Sequence, residues 1–171
     1  MKTDLGIEPR NRDAACSGRC IALIEDSPAD TKMIRFALHE VDPAINVMAF
    51  ERGTDALQYF AAASVNDTCM PCDLLLVDLN LPALSGLEVL ELIRANDHLR
   101  MLPVVILSGS SNPSDVERCY LAGANSYVTK PTNLDDLLAI MARLVTYWYD
   151  CASLPSGSLV APRASAPGNS R

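Results

Sequence analysis

The stretch LLLVDLNLPALSG, residues 74–86, joins four large apolar residues to a single carboxylate, Asp78. A short apolar run bounded by Pro and Gly is typical of a strand buried on both faces of a parallel sheet. Ser85, with Glu88 three residues later, has the spacing of a capping box and predicts the start of a helix. The stretch therefore predicts a strand, a loop and a helix, with a charged group at the carboxyl end of the strand.

The rest of the chain repeats this alternation. Further strands are predicted at residues 20–25, 45–50, 103–108 and 125–130. Capping and proline signals, together with the segment 53–63, predict helices that begin near Ser27, Gly53, Ser85, Asn112 and Asn133. Gly123 is expected to end the fourth helix in a left-handed conformation. Strict β-α alternation predicts an α/β fold with a parallel sheet between two layers of helices, in the flavodoxin-like strand order 2-1-3-4-5.

Length and composition indicate one folded domain. The chain has 171 residues, of which 49% are hydrophobic, enough for a core. Residues 1–17 are predicted to be flexible, 18–150 to form the domain, and 151–171 to be a disordered tail rich in Pro, Ser, Gly and Ala. The net charge is −7 without a basic cluster, which argues against nucleic-acid binding. No signal peptide or membrane-spanning stretch is apparent, so we expect a cytoplasmic protein.

Polar side chains follow four of the predicted strands. In the order 2-1-3-4-5, ligands bind where the carboxyl ends of strands one and three meet, and these strands end in Glu25-Asp26 and in Asp78. Converging carboxylates require a neutralising charge, and Mg²⁺ prefers such oxygen ligands. Ser108 and Lys130 end strands four and five and add a hydroxyl and an ammonium group. Together these residues predict a site for a phosphoryl group.

The segments LIEDSPAD, LLLVDLNLPALSGLEVL, PVVILSGS and GANSYVTKP resemble the receiver domain of two-component response regulators, over about residues 20–150. The segments EDSPADTKMIRFAL and VDLNLP and the aromatic YWY look similar to stand-alone regulators that pair with phytochrome-type and other multi-sensor histidine kinases. The resemblance implies a switch protein rather than an enzyme. Such a protein accepts a phosphoryl group from a sensor histidine kinase, loses it slowly by itself, and signals by binding an unknown downstream protein or by phosphorelay.

The resemblance also implies roles for the residues at the strand ends. Asp78 would be the phosphoacceptor. Mg²⁺ would be held by Asp78, Glu25, Asp26 and the backbone carbonyl of Asn80. Asp78 would then act as a nucleophile that forms an acyl phosphate.

The remaining implied roles concern strands four and five. Lys130 would pair with the phosphoryl group, Ser108 would hydrogen-bond it, and Tyr127 would change rotamer with it. The peptide bond between Lys130 and Pro131 is expected to be cis, a state that X-Pro bonds tolerate. Ser108 stands where Thr is usual, which keeps the hydroxyl and loses a methyl group. Ser85 stands where Asp is common and can still cap the helix.

Two other functions are compatible with a carboxylate at a strand end. A phosphatase of the haloacid-dehalogenase type also uses a strand-end Asp nucleophile, but it needs a second Asp two residues later, where this chain has Asn80, which cannot deliver a proton. A receiver-like interaction module that is never phosphorylated would not need the acid pair, Asp78, Ser108 and Lys130.

Four cysteines suggest a further hypothesis. Cys16 and Cys20 precede strand one, and Cys69 and Cys72 precede strand three. Because the two strands are predicted neighbours, four thiolates at the end of the sheet opposite Asp78 could bind zinc. Reduced thiols without a ligand are the favoured interpretation.

The last predicted helix, from Asn133 to Asp150, carries two apolar stripes. One is expected to pack on the sheet and comprises Leu134, Leu137, Leu138, Met141, Val145 and Trp148. The other, expected to be exposed, comprises Ile140, Leu144, Tyr147 and Cys151. A second exposed stripe predicts a homodimer through this helix and strand five. The alternative is that a neighbouring helix or the tail covers it.

Overall fold

The computed structural model describes residues 19–66 and 70–155. The predicted flexible segment, most of the predicted tail, and both Cys16 and Cys69 lie outside these ranges. Within them, five strands alternate with five α-helices: β1 Cys20–Ile24, α1 Pro28–Val41, β2 Asn46–Phe50, α2 Gly53–Asn66, β3 Leu74–Val77, α3 Gly86–Ala95, β4 Val104–Ser108, α4 Pro113–Leu121, β5 Ser126–Thr129 and α5 Leu134–Thr146. No helix in the described ranges is long and apolar enough to cross a membrane.

The five strands are parallel and lie in the order β2-β1-β3-β4-β5, as predicted. In this register Ile24 of β1 lies between Phe50 of β2 and Val77 of β3. The ladder continues one residue further, since the Asp78 N–H donates to the Ile24 carbonyl at 2.9 Å. Glu25 likewise donates its N–H to the Phe50 carbonyl at 2.9 Å. The pairing therefore places Glu25 and Asp78 next to each other at the carboxyl end of the sheet.

Every residue of β1, β3 and β4 is buried, because helices cover both faces of the sheet. One face packs with α2 and α3, and its core includes Ile24, Val77, Ile106, Phe60 and Leu90. The other face packs with α1 and α5, and its core includes Leu23, Leu76, Leu107, Ile34 and Met141. Burial of each such side chain stabilises the fold by about 1.5–3 kcal/mol. The unbroken apolar runs of the sequence are thus explained by a sheet without a solvent face.

The predicted helix caps are confirmed. Ser27 and Asn133 each accept a hydrogen bond from the backbone N–H three residues later, and Asn112 accepts one from Ser114. Ser85 forms a full capping box with Glu88. Gly123 has φ of 95°, the left-handed conformation expected after α4. Local side-chain chemistry therefore sets where these helices begin and where α4 ends.

Arg94, near the end of α3, connects two loops. Its guanidinium donates to the backbone carbonyls of Arg100, Leu102 and Gly123 and to the side-chain oxygen of Asn125, at 2.8–3.1 Å. Burial lowers the pKa of this guanidinium. All these acceptors are uncharged. Arg94 therefore joins α3, by hydrogen bonds, to the loop before β4 and to the loop between α4 and β5.

The last helix differs from its prediction in three ways. Ile140 and Leu144 were predicted to be exposed and are partly buried against the core beside α1 and α5. The α-helical part ends at Thr146, and a π-helical turn, Tyr147–Cys151, follows it. Such a turn fits one more residue into the helix and rotates the side chains that follow. Leu134 was predicted to pack on the sheet and is 41% exposed. Leu134 is the first residue of α5 and follows the exposed residues 132–133. The first buried residue of the helix is Leu137.

Candidate functional site

Three carboxylates meet at the carboxyl end of the sheet. Glu25 and Asp26 follow β1 and Asp78 follows β3, and one oxygen of each lies within 4.8 Å of the others. Glu25 and Asp78 are buried, whereas Asp26 is exposed. Three oxygen ligands with one side open to solvent fit a hard divalent cation that retains water ligands. The sequence predicted this convergence from the strand order alone.

Lys130, directly after β5, reaches the same place. Its backbone N–H donates to the Ser108 carbonyl at 2.7 Å, which fixes its position at the end of the sheet. Its ammonium is hydrogen-bonded to Glu25 and lies 3.0 Å from an oxygen of Asp78. It also lies 3.2 Å from an oxygen of Asp30 in the first turn of α1.

Asp30 was not predicted to belong to the site. An acidic residue just after an N-cap ordinarily serves the helix dipole, so the sequence offered only its closeness to Glu25 and Asp26 as a signal.

The prediction of a cis peptide bond between Lys130 and Pro131 is wrong. The described residues contain no cis peptide, so the bond between Lys130 and Pro131 is trans. Trans is the lower-energy isomer for X-Pro bonds. The Lys130 ammonium reaches its three carboxylates with the bond in that form.

Burial and ion pairing shift the pKa values of Glu25 and Lys130. Burial raises the pKa of Glu25, and its bond with Lys130 only partly opposes that effect. Burial by itself lowers the pKa of Lys130, but the bonds to Glu25 and Asp78 outweigh it and the pKa is raised above its usual value. Lys130 is therefore a fixed positive charge at neutral pH, beside the carboxylate of Asp78.

Asp78 is held by its surroundings on two sides. One carboxylate oxygen accepts the backbone N–H of Asn80 at 2.9 Å, and the other faces Lys130. On the far side, α3 begins against its backbone, since a Cβ atom added to Gly86 would lie 2.1 Å from the Asp78 carbonyl oxygen. The turn between them includes Ala83 at φ of 65°, a conformation that costs a non-glycine residue about 1 kcal/mol or more. The carboxylate is thus presented by a tightly packed loop.

Ser108 and Tyr127 meet on one residue of the loop after β4. The buried Ser108 hydroxyl accepts the N–H of Ser110 at 3.1 Å, and the Tyr127 hydroxyl donates to the Ser110 carbonyl at 2.8 Å. The hydroxyl of Ser110 in turn donates to Asp115, in the first turn of α4, at 2.7 Å. The sequence predicted Ser108 and Tyr127 but not Ser110. This chain of contacts connects the end of β4 to α4.

Residues 21–142 match the response regulator receiver domain. The chain belongs to the receiver domain family of response regulators. It is 32% identical over 138 residues to response regulator Rcp1 of a Synechocystis species, covering 81% of this chain and 94% of Rcp1. The receiver fold expected from the resemblance is therefore confirmed, and the phosphatase alternative receives no support.

Solved structures agree. The phosphorylated cyanobacterial phytochrome response regulator RcpA superposes with a TM-score of 0.75 at 35% identity, covering 82% of this chain and all of RcpA. The Mn²⁺-bound form of Rcp1 gives a TM-score of 0.71 at 32% identity, covering 81% of this chain and 99% of Rcp1. The similarity extends along the whole length of these single-domain regulators, as the sequence segments indicated.

The zinc hypothesis gains nothing from the part of the chain that is described. Within residues 19–66 and 70–155, the group formed by Glu25, Asp26 and Asp78 is the one set of three or more potential ligands close enough to share a metal ion. Cys20 and Cys72 are both buried near the opposite end of the sheet. The four-cysteine site stays a prediction, because it needs Cys16 and Cys69.

Proposed function

We propose that Asp78 accepts a phosphoryl group from the phosphohistidine of a sensor histidine kinase. The observation that carries this proposal is the contact of the buried Asp78 carboxylate with the Lys130 ammonium, 3.0 Å away, beside the acid pair Glu25 and Asp26. A carboxylate oxygen attacks the phosphorus, the P–N bond breaks, and its electron pair goes to the imidazole nitrogen. The product is an acyl phosphate on Asp78.

The other side chains act on the charge of the transferred group. Lys130 donates a hydrogen bond to a phosphoryl oxygen and neutralises part of its charge. The Ser108 oxygen accepts the Ser110 N–H, which leaves its own hydrogen able to donate to a phosphoryl oxygen. When Ser108 bonds the phosphoryl group, Tyr127 changes rotamer and gives up its own bond to Ser110. The conformation of the loop before α4 at the protein surface then depends on whether Asp78 is phosphorylated.

Mg²⁺ is the cation we propose for the acid cluster. The carboxylates of Glu25, Asp26 and Asp78 and the carbonyl of Asn80 would hold it, and its chemistry there is to neutralise charge on the phosphoryl oxygens. The Mn²⁺-bound form of Rcp1 supports a divalent ion in a related receiver domain. Asp26 is exposed, so Asp26→Ala removes a ligand without opening the core. We expect weaker Mg²⁺ binding by calorimetry, and metal-independent labelling would contradict the assignment.

Replacement of the acceptor tests the proposal directly. Asp78→Asn keeps the shape of the side chain and removes the nucleophile, so we expect no acyl phosphate after incubation with a radiolabelled donor. The matched control is Asp55→Asn, which removes an acidic residue from the first turn of α2. Circular dichroism should show both variants folded. Labelling of Asp78→Asn at the wild-type rate would refute the assignment, because another residue would then be the acceptor. A wild-type protein that takes no label would instead leave the non-phosphorylated interaction module as the function.

We propose that the kinase partner is of the phytochrome type. We also propose that the protein is a switch rather than an enzyme, and that its acyl phosphate hydrolyses slowly by itself. The similarity to RcpA, a phytochrome response regulator, supports this partner. Phosphoryl transfer from an ATP-dependent kinase would take place in the cytoplasm, and the signal would pass to a downstream protein or along a phosphorelay. Transfer from a set of purified kinases should be fastest from a phytochrome-type kinase, and equal rates would contradict the partner assignment.

We also propose that the protein forms a homodimer through α5 and β5. A surface groove of about 510 Å³ lies between them, with Val128, Ile140, Leu144 and Trp148 among its walls. Tyr147, also at the groove, is 56% exposed. A two-fold interface pairs the same surface on both copies, so it would place Tyr147 of each copy in the groove of the other.

Sedimentation tests the dimer. Leu144→Glu places a charge in the groove and should shift the protein to a monomer, as should Tyr147→Ala, which leaves the core intact. The control is Leu92→Glu on the exposed side of α3, which should leave the mass unchanged. A monomeric wild type at micromolar concentration, with and without a phosphoryl mimic, would refute the dimer.

A further inference from the structure

Asp30 contacts the machinery of this site without having been assigned a role in it. It is the third residue of α1, whose start is fixed by Pro28 and by the Ser27 hydroxyl, which accepts the Asp30 N–H at 3.2 Å. Its carboxylate lies 3.2 Å from the Lys130 ammonium. The Asp30 side chain is 35% exposed, compared with 16% for Lys130. Asp30 therefore covers Lys130 on the solvent side.

The ammonium of Lys130 is fully engaged by carboxylates. An ammonium group has three N–H donors, and Lys130 faces one carboxylate each from Glu25 on β1, Asp78 on β3 and Asp30 on α1. When Asp78 takes up a phosphoryl group, the bond to Asp78 passes to a phosphoryl oxygen. Glu25 and Asp30 are then the two groups left to hold the ammonium.

Without Asp30, one donor of Lys130 would face open space. A cavity of about 250 Å³ lies on this side, and Asp30, Met33, Lys130 and Pro131 are among its lining residues. Water in that cavity would replace a fixed acceptor with a mobile one. The four-carbon stem of lysine is flexible, so the ammonium would then occupy several positions relative to Asp78.

We propose that Asp30 is a positioning residue that holds the Lys130 ammonium against Asp78 during phosphoryl transfer. It acts through Lys130 and does not itself touch the phosphoryl group. The inference rests on the proposed role of Asp78 as acceptor. It extends the site from the sheet to the first turn of α1.

The first test uses acetyl phosphate as a small donor, so that docking of a kinase does not enter the rate. Asp30→Ala should slow labelling of Asp78 by about two- to fivefold, the effect of losing a partly exposed ion pair. Asp30→Asn keeps an acceptor oxygen and should slow it less, and Asp30→Glu should restore most of the rate. Asp55→Ala removes a first-turn acid from α2 and should have no effect. Equal rates for Asp30→Ala and wild type would overturn the inference.

A double-mutant cycle shows whether Asp30 acts through Lys130. In a Lys130→Ala background, Asp30→Ala should cause no further change in the labelling rate. A full second loss of two- to fivefold there would mean that Asp30 acts by another route, and would also overturn the inference.

The ammonium itself provides a readout that does not depend on phosphorylation. In protein labelled with ¹⁵N-lysine, the Lys130 Nζ resonance should be protected from exchange with water in the wild type and broadened in Asp30→Ala. An unchanged resonance would contradict positioning by Asp30. If wild-type protein takes no label at all, the proposed function fails, and the resonance still decides whether Asp30 fixes Lys130.

Discussion

Substitution of Gly86 by Ala adds one methyl group where the structure has no room for it. The new Cβ would lie 2.1 Å from the carbonyl oxygen of Asp78, and 2.9 Å from both its carbonyl carbon and the Cα atom of Leu79. A carbon–oxygen contact normally measures at least ~3.3 Å, so the backbone must move by about 1 Å. All three clashing atoms are main-chain atoms, so no side-chain rotation can relieve the contact.

The expected cost follows from that displacement. Overpacking of a well-packed region costs about 1–3 kcal/mol, and we expect Gly86→Ala to lie at the upper end of that range. A misplacement of about 1 Å at a reacting group slows a reaction by up to about 100-fold. Because the clash involves Asp78 itself, labelling should fall along with stability.

Urea unfolding and labelling by acetyl phosphate measure the two effects. The control is Gly109→Ala in the loop after β4, where an added Cβ meets nothing within 4 Å. Its free energy of unfolding should match that of the wild type. If Gly86→Ala unfolds at the same urea concentration as wild type and labels equally fast, the start of α3 does not constrain Asp78 and the reasoning is wrong.

Three further predictions concern the supporting hydrogen bonds. Arg94→Ala leaves several carbonyl oxygens without their donor and should lower the free energy of unfolding by about 1–3 kcal/mol in a urea titration. The control is Arg118→Ala, at an exposed position of α4, which should leave the free energy of unfolding unchanged. Ser85→Ala should cost about 1 kcal/mol near neutral pH. Hydrogen bonds from Ser85 hold the pKa of Glu88 below its usual 4.5. The part of the stabilisation that comes from the Glu88 carboxylate is therefore present above pH 4.5 and lost as pH falls through the lowered value, whereas the bond from the Glu88 N–H to the Ser85 hydroxyl does not titrate. Thermal melts from pH 7 to pH 3 should show the difference between Ser85→Ala and wild type shrinking, and a constant difference would contradict this. Tyr127→Phe removes the donor to the loop after β4, so hydrogen exchange at residues 109–112 should accelerate while Asp78 still takes label; unchanged exchange would show that the bond does not order the loop.

Much of the fold was predictable because its signals are local. A strand buried on both faces needs an unbroken apolar run, and residues 74–77 are such a run. Caps such as Ser85 work through a backbone group three residues away, so they can be recognised from spacing. The strand-end residues of the site were found for a related reason, since parallel strands bring their carboxyl ends to one edge of the sheet.

The tertiary structure alone decided the long-range contacts that depend on how a helix docks on the sheet. Asp30 and Lys130 are separated by 100 positions, and their contact depends on how α1 is rotated on the sheet and where β5 ends. The closeness of Gly86 to the backbone of Asp78 depends in the same way on how α3 docks. Local sequence chemistry sets which elements form and which groups stand at their ends. The distances between those groups arise from the packing of whole elements against one another, because a rotation or shift of one helix moves its side chains by ångströms without changing its sequence pattern.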